Sequence, residues 1–120
     1  MRRNTSQEAK QRSAERRLRE DEAPRLSAEI RKLTSLQLDI ENGTNRYVWR
    51  IVVERAPALF VIACPEEGCV NGGHDITHEV TRSLRASATH FDGESSCRGD
   101  LRSGTCGRLL KYTGTATYRA

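Results

Sequence analysis

The spacing of apolar positions changes twice along the chain, and each change marks a new kind of element. Over residues 5–22 only Ala9, Ala14 and Leu18 stand among the good helix formers, so there is almost no apolar stripe. Thr5 or Ser6 can cap a helix through Gln7-Glu8-Ala9-Lys10 toward Glu22, with Glu15 and Arg19 paired at i,i+4. A helix polar all round has little to pack against, so residues 1–22 read as a solvent-bridging arm, helical in part. Pro24 then suits the first turn of a second helix, in which Leu26, Ile30 and Leu33 recur at spacings of 4 and 3. That stripe is expected to dock on the domain or on a second copy, and it does not continue far enough for a coiled coil.

From Leu36 the period becomes 2. Leu36, Leu38 and Ile40 alternate with Gln37, Asp39 and Glu41, which predicts a half-buried strand, with helical continuation over 34–41 as the competing reading. Asn42-Gly43 is a hairpin signal that Thr44-Asn45 can lengthen. Tyr47, Trp49, Ile51 and Val53 form the apolar face of the returning strand, and Leu59–Ala63 is a third strand ending at Cys64. Asp75 is a good N-cap for a helix over Ile76–Ala86, with Ile76, Val80 and Leu84 at i, i+4 and i+8. Strands over Thr89–Glu94 and Arg108–Arg119 complete the chain, separated by the Gly- and Ser-containing loop Ser95–Thr105.

The expected fold is therefore α+β: an N-terminal helical arm followed by a small, mostly antiparallel sheet with one helix, in the order α-β-β-β-α-β-β. Residues 1–33 form the basic arm and the short docking helix, and residues 34–120 form the domain. Charged residues make up 30% of the chain and hydrophobic ones only 36%, a lean core for a domain of this size. A cross-link or metal would contribute several kcal/mol to such a fold.

Cysteine supplies the candidate. Cys64-Pro-Glu-Glu-Gly-Cys69 and Cys97-x8-Cys106 form two pairs, separated by a segment long enough for a helix. The N-terminus lacks an apolar signal-peptide core, and the longest apolar run, Ala56–Ala63, is too short for a bilayer. A cytoplasmic location and no membrane association are expected. In a reducing compartment two such pairs suggest structural zinc on four thiolates before they suggest disulfides. Cys106-Gly107 resembles the second arm of a zinc knuckle, although the x4 and x8 spacings are looser than the x2 of zinc ribbons. Three thiolates with His74, two disulfides and free thiols are the alternatives. His74 otherwise reads as a polar residue at a helix start.

Catalytic signatures are broken. His74 and His78 are four apart but lack the glutamate of His-Glu-x-x-His, no phosphate-binding glycine loop or Cys-x-x-Cys is present, and Glu66 or Glu67 is the only base near the cysteines in sequence. No enzymatic activity is expected. Arg98-Gly99-Asp100 reads as a chance tripeptide.

Charge gives the function classes. Residues 1–33 hold ten Lys/Arg against six Asp/Glu, which accounts for the whole net charge of +4. Arg2, Arg3, Lys10, Arg12, Arg16, Arg17 and Arg19 are the expected phosphate contacts of an arm that orders on RNA, DNA or a nucleoprotein complex. A compositional Arg bias produces the same excess, and Glu8, Glu15, Glu20, Asp21 and Glu22 dilute its field. Tyr47 and Trp49 offer a stacking surface if exposed, yet they share a face with Ile51 and Val53 and so read as core. The rival reading is a protein-interaction adaptor or self-associating module that uses Leu26, Ile30 and Leu33. A small zinc enzyme ranks below both.

Overall fold

A computed structural model of the chain describes residues 18, 19 and 21–120. The expected phosphate contacts Arg2, Arg3, Lys10, Arg12, Arg16 and Arg17 lie outside them, as does most of the expected arm helix; Leu18, Arg19, Asp21 and Glu22 are helical. The described chain is an α+β domain built on a four-stranded antiparallel sheet. Its strands are β1 (Leu33–Asn42), β2 (Asn45–Ile51), β5 (His90–Ser96) and β8 (Leu109–Tyr118), in spatial order β2-β1-β8-β5. Two short ribbons, β3 (Val61–Ile62) with β4 (His74–Asp75) and β6 (Asp100–Leu101) with β7 (Gly104–Thr105), lie outside that sheet.

Period-2 patterning sets the core. Leu36, Leu38 and Ile40 of β1 stand beside Ala116, Gly114 and Tyr112 of β8 in register, and this face is buried. Phe91 of β5 lies opposite Gly114, and Tyr112 lies opposite Gly93. Each glycine has no Cβ because an aromatic ring occupies that space. The opposite sheet face, with Asp39, Lys111, Thr113 and Asp92, is exposed.

Helix α2 (Thr77–Arg85) and its N-cap Ile76 bring Ile76, Val80 and Leu84, the stripe expected from sequence, into the core. The Asp75 carboxylate accepts from the Thr77 amide at 3.1 Å, one residue earlier than a strict N-cap. At the other end Ser87 takes the left-handed conformation, φ 56°, while the Ser87 and Ala88 amides donate to Leu84 and Ser83.

The second expected helix is shortened to one turn, α1 (Leu26–Glu29). Sheet pairing takes over its C-terminal part: Leu33 lies opposite Tyr118, and the Arg119 amide donates to Lys32. Leu26, Ile30 and Leu33 are all buried in the one hydrophobic core, with Val53, Ala58, Phe60 and Ile62. That is docking on the domain, one of the two expected outcomes. The stripe is consequently buried rather than exposed as an interface for another protein, and residues before 34 contribute to the core. The hairpin signal at Asn42-Gly43 is present, with Gly43-Thr44 as the two-residue loop. The third strand contracts to Val61–Ile62, and the loop between the second cysteine pair contains the β6–β7 hairpin.

Candidate metal centre

Both cysteine pairs lie in loops that follow strands, and backbone pairing joins the loops. Cys64 follows β3, and Gly68, at φ 82°, turns the chain so that the Cys69 amide can donate to Glu66. Cys97 follows β5 and Cys106 follows β7, so the β6–β7 hairpin brings the ends of an eight-residue insertion together. The Cys106 amide donates to Gly99 at 2.8 Å and the Gly107 amide to Cys97 at 3.0 Å. Val70 and Asp100 then exchange amide–carbonyl bonds, 2.9 Å each, across the two loops.

The result is one cluster. The sulfurs of Cys64, Cys69, Cys97 and Cys106 all lie within 4.8 Å of one another. The Cys64 and Cys106 sulfurs are 3.8 Å apart, and those of Cys69 and Cys97 are 3.6 Å apart. A tetrahedral ion with metal–sulfur bonds of about 2.3 Å sets sulfurs roughly 3.8 Å apart, so the donor set fits a closed four-thiolate site. The four cysteines can hold a metal ion.

The surrounding backbone favours charged sulfur. Burial of Cys97 opposes ionisation, but the amides of Gly73 at 3.3 Å and Gly99 at 3.4 Å point at its sulfur and, with neighbouring thiols, bring it down to about 7. Burial pushes the Cys69 and Cys64 thiols up. A divalent ion reverses that preference by stabilising thiolate on every ligand. Glycine is required close by: a Cβ on Gly72 would run into the sulfurs of Cys69 and Cys97, and one on Gly99 into Cys69. Sequence reading missed both residues. Gly72 sits in the Asn-Gly-Gly run, and Gly99 and Asp100 belong to the tripeptide read as chance, where they supply an N–H to sulfur and the loop-to-loop bridge.

His74 is not in the cluster. It lies in β4, buried, with Nδ1 3.1 Å from the Ser95 hydroxyl and Nε2 without a partner among the described residues. Burial lowers its pKa. Both the substitute-ligand reading and the polar helix-start reading give way to a core histidine that packs beside β5. The His74/His78 helical face does not form either, because His74 precedes α2. Glu66, the candidate base, accepts an ion pair from Arg108.

The remaining candidates are dispersed. Arg19 donates to Asp75 at 2.8 Å, in front of α2. Tyr47 is 44% exposed, whereas Trp49 is half-buried with its ring edge-on to Phe60, centroids 5.8 Å apart. No helix among the described residues is long and apolar enough to cross a membrane. Neither protein-family models, nor curated proteins, nor solved structures give a match to this chain.

Proposed function

We propose that this chain is a non-enzymatic binding module, cross-linked by one structural zinc, that associates with RNA, DNA or a nucleoprotein complex through its Arg-rich arm. The observation that carries the structural part is the convergence of four thiols at tetrahedral spacing. Four protein ligands fill the coordination of zinc and leave no position for water or substrate, which distinguishes a structural from a catalytic site. When bound, the ion joins two loops that are otherwise held by a few backbone bonds, and it supplies folding free energy to a lean core. Glu66, the nearest base in sequence, is engaged by Arg108, which also argues against hydrolytic chemistry.

Elemental analysis of the purified, reduced protein with a free-thiol count tests this part. One zinc per chain, with thiols masked until chelation, is expected; two disulfides or four free thiols without metal would end the reading. The site requires a reducing compartment, where thiolates persist.

The support for the nucleic-acid part is the charge distribution, with the excess cations concentrated in residues 1–33. Phosphate contacts make affinity fall steeply with salt. Retention on an RNA column should drop when Arg2, Arg3, Lys10, Arg12, Arg16 and Arg17 are replaced by Gln, with the folded domain unchanged. Equal retention would remove the arm from the proposal.

A further inference from the structure

A second surface, apart from the cysteine cluster and the arm, has the features of a strand-docking edge. Strand β2 pairs with β1 on one side and with no strand on the other among the described residues. The register fixes which groups face outward. Asn42 and Asn45 flank a two-residue loop and so form a hydrogen-bonded pair, and the alternation runs on through Tyr47, Trp49 and Ile51. The intervening Arg46, Val48 and Arg50 therefore direct their N–H and C=O groups to the open edge. Three alternate residues present a ladder with no partner strand.

Beside this edge runs a groove of about 470 Å³, between β2 and the segment Arg55–Val61. Trp49, Ile51, Ala56, Leu59 and Val61 give it an apolar lining. Val52, 57% exposed just past the end of β2, adds apolar surface to the groove. Two cations, Arg50 and Arg55, line it and no carboxylate does; the neighbouring carboxylates Asp39 and Glu41 stand on β1, opposite Val48 and Arg46. Arg46 meets Glu41 across the hairpin at 3.4 Å, while Arg50 and Arg55 make no ion pair among the described residues.

A second copy suits this edge poorly. An antiparallel pair of β2 strands about a two-fold at Val48 would set Arg46 of each copy opposite Arg50 of the other, and like charges directly opposed destabilise a strand pair. An acidic strand reverses the sign of both contacts. We propose that the β2 edge binds an extended acidic peptide segment by strand addition, with its apolar residues in the Trp49–Leu59 groove and its carboxylates on Arg50 and Arg55. Main-chain bonds to Arg46, Val48 and Arg50 give the affinity, and the arginines select for acid. This proposal goes beyond the nucleic-acid reading and does not depend on the arm.

The test uses the full-length, metal-loaded, isotope-labelled protein and a synthetic acetylated peptide alternating Glu and Val over seven residues, with a Lys/Val peptide as control. Amide shifts at Arg46, Val48 and Arg50, with slowed hydrogen exchange there, are expected for the Glu/Val peptide alone. Val48→Pro removes an outward N–H without breaking a bond to β1, and Arg50→Glu inverts the charge; each should weaken binding at least tenfold. Shifts confined to the arm, equal response to the Lys/Val peptide, or unchanged binding by both variants would overturn the proposal. So would β2 shifts that grow with protein concentration without peptide, which would identify a second copy, or β2 shifts produced by an RNA oligonucleotide but not by the Glu/Val peptide.

Discussion

Arg108 and Glu66 form an ion pair that clamps the two cysteine loops from outside the cluster. Glu66 lies two residues beyond Cys64 and Arg108 two beyond Cys106, the same two cysteines whose sulfurs are 3.8 Å apart. The guanidinium also donates to the Asn42 carbonyl at 3.5 Å and lies over Gly43, so the clamp reaches the β1–β2 hairpin. The pair is partly exposed, so solvent screening limits its worth to about 0.2–1 kcal/mol. Glu66→Gln should therefore leave the fold intact but speed metal loss to a chelator, and high salt should narrow the gap from wild type. Identical release rates at low salt would show that the pair is not a clamp.

Removing the metal should be far more damaging than removing the clamp. Treatment with a strong chelator should lower the melting temperature by about 10 °C or more, the shift that a loss of a few kcal/mol causes in a domain of this size. Among single Cys→Ser changes, Cys97→Ser should cost most, because its sulfur is buried and accepts two amide N–H groups. Calorimetry with and without chelator checks the first expectation, and zinc content of the four variants checks the second. A chelator-insensitive melt would dismiss the staple.

Two glycine substitutions separate space from backbone conformation. Gly72→Ala places a methyl among the Cys69 and Cys97 sulfurs and should weaken metal affinity about tenfold or more. Gly104 has nothing near its missing Cβ but sits at φ 131°, so Gly104→Ala should cost about 1 kcal/mol of stability and leave the metal in place. Competition with a chromophoric chelator, alongside urea unfolding, reads both. Equal metal affinity in the two variants would rule out the proposed crowding at Gly72.

Much of this arrangement was legible in the sequence where periodicity was strong. The stripe Ile76, Val80 and Leu84 became a buried helical face as read, and the alternation Leu36, Leu38 and Ile40 became a buried strand face, with the period of 2 prevailing over helical continuation. The four cysteines converge despite the loose spacings, since β6–β7 closes the long insertion, although the short sulfur contacts run between the two sequence pairs rather than within them. The misreadings lie where tertiary pairing overrides local pattern. Leu33 belongs to a helical stripe by spacing, yet β8 recruits it into the sheet. His74 reads as a polar residue at a helix start because the Ser95 hydroxyl it meets lies 21 positions away. The β2 edge was invisible for a related reason: alternation predicts which face is apolar, but not which strand lacks a neighbour.

Histidine 74 gives a pH prediction with a definite sign. Burial lowers its pKa below 6.5, so the folded state prefers the neutral ring. Between the lowered value and 6.5 the unfolded chain binds more protons than the folded one, so stability rises with pH across that window. The contribution is fully present above 6.5 and drains as pH falls through the folded value. Following the His74 ring resonances by NMR should give a midpoint below 6.5, and His74→Gln should flatten this part of the stability profile. A midpoint at or above 6.5 would contradict the buried, neutral placement.

Leu26 is 0% exposed, in the core with Phe60 and Leu84, although it precedes the first strand by seven residues. The Leu26 amide donates to Ala56 at 3.0 Å, and the Ala58 amide to Pro24 at 2.7 Å, so this segment is paired as well as packed. Leu26→Ala should cost about 2–5 kcal/mol, the range for truncating a fully buried leucine. Leu109→Ala, at a position 40% exposed, should cost about 0.5 kcal/mol or less. Urea unfolding of both variants, with unchanged m values, provides the comparison. By the same reasoning a chain starting at residue 34 should fail to fold, whereas one starting at residue 23 should retain the cooperative transition. If the shorter chain melts like the longer, the α1 turn is an accessory and the boundary returns to residue 34.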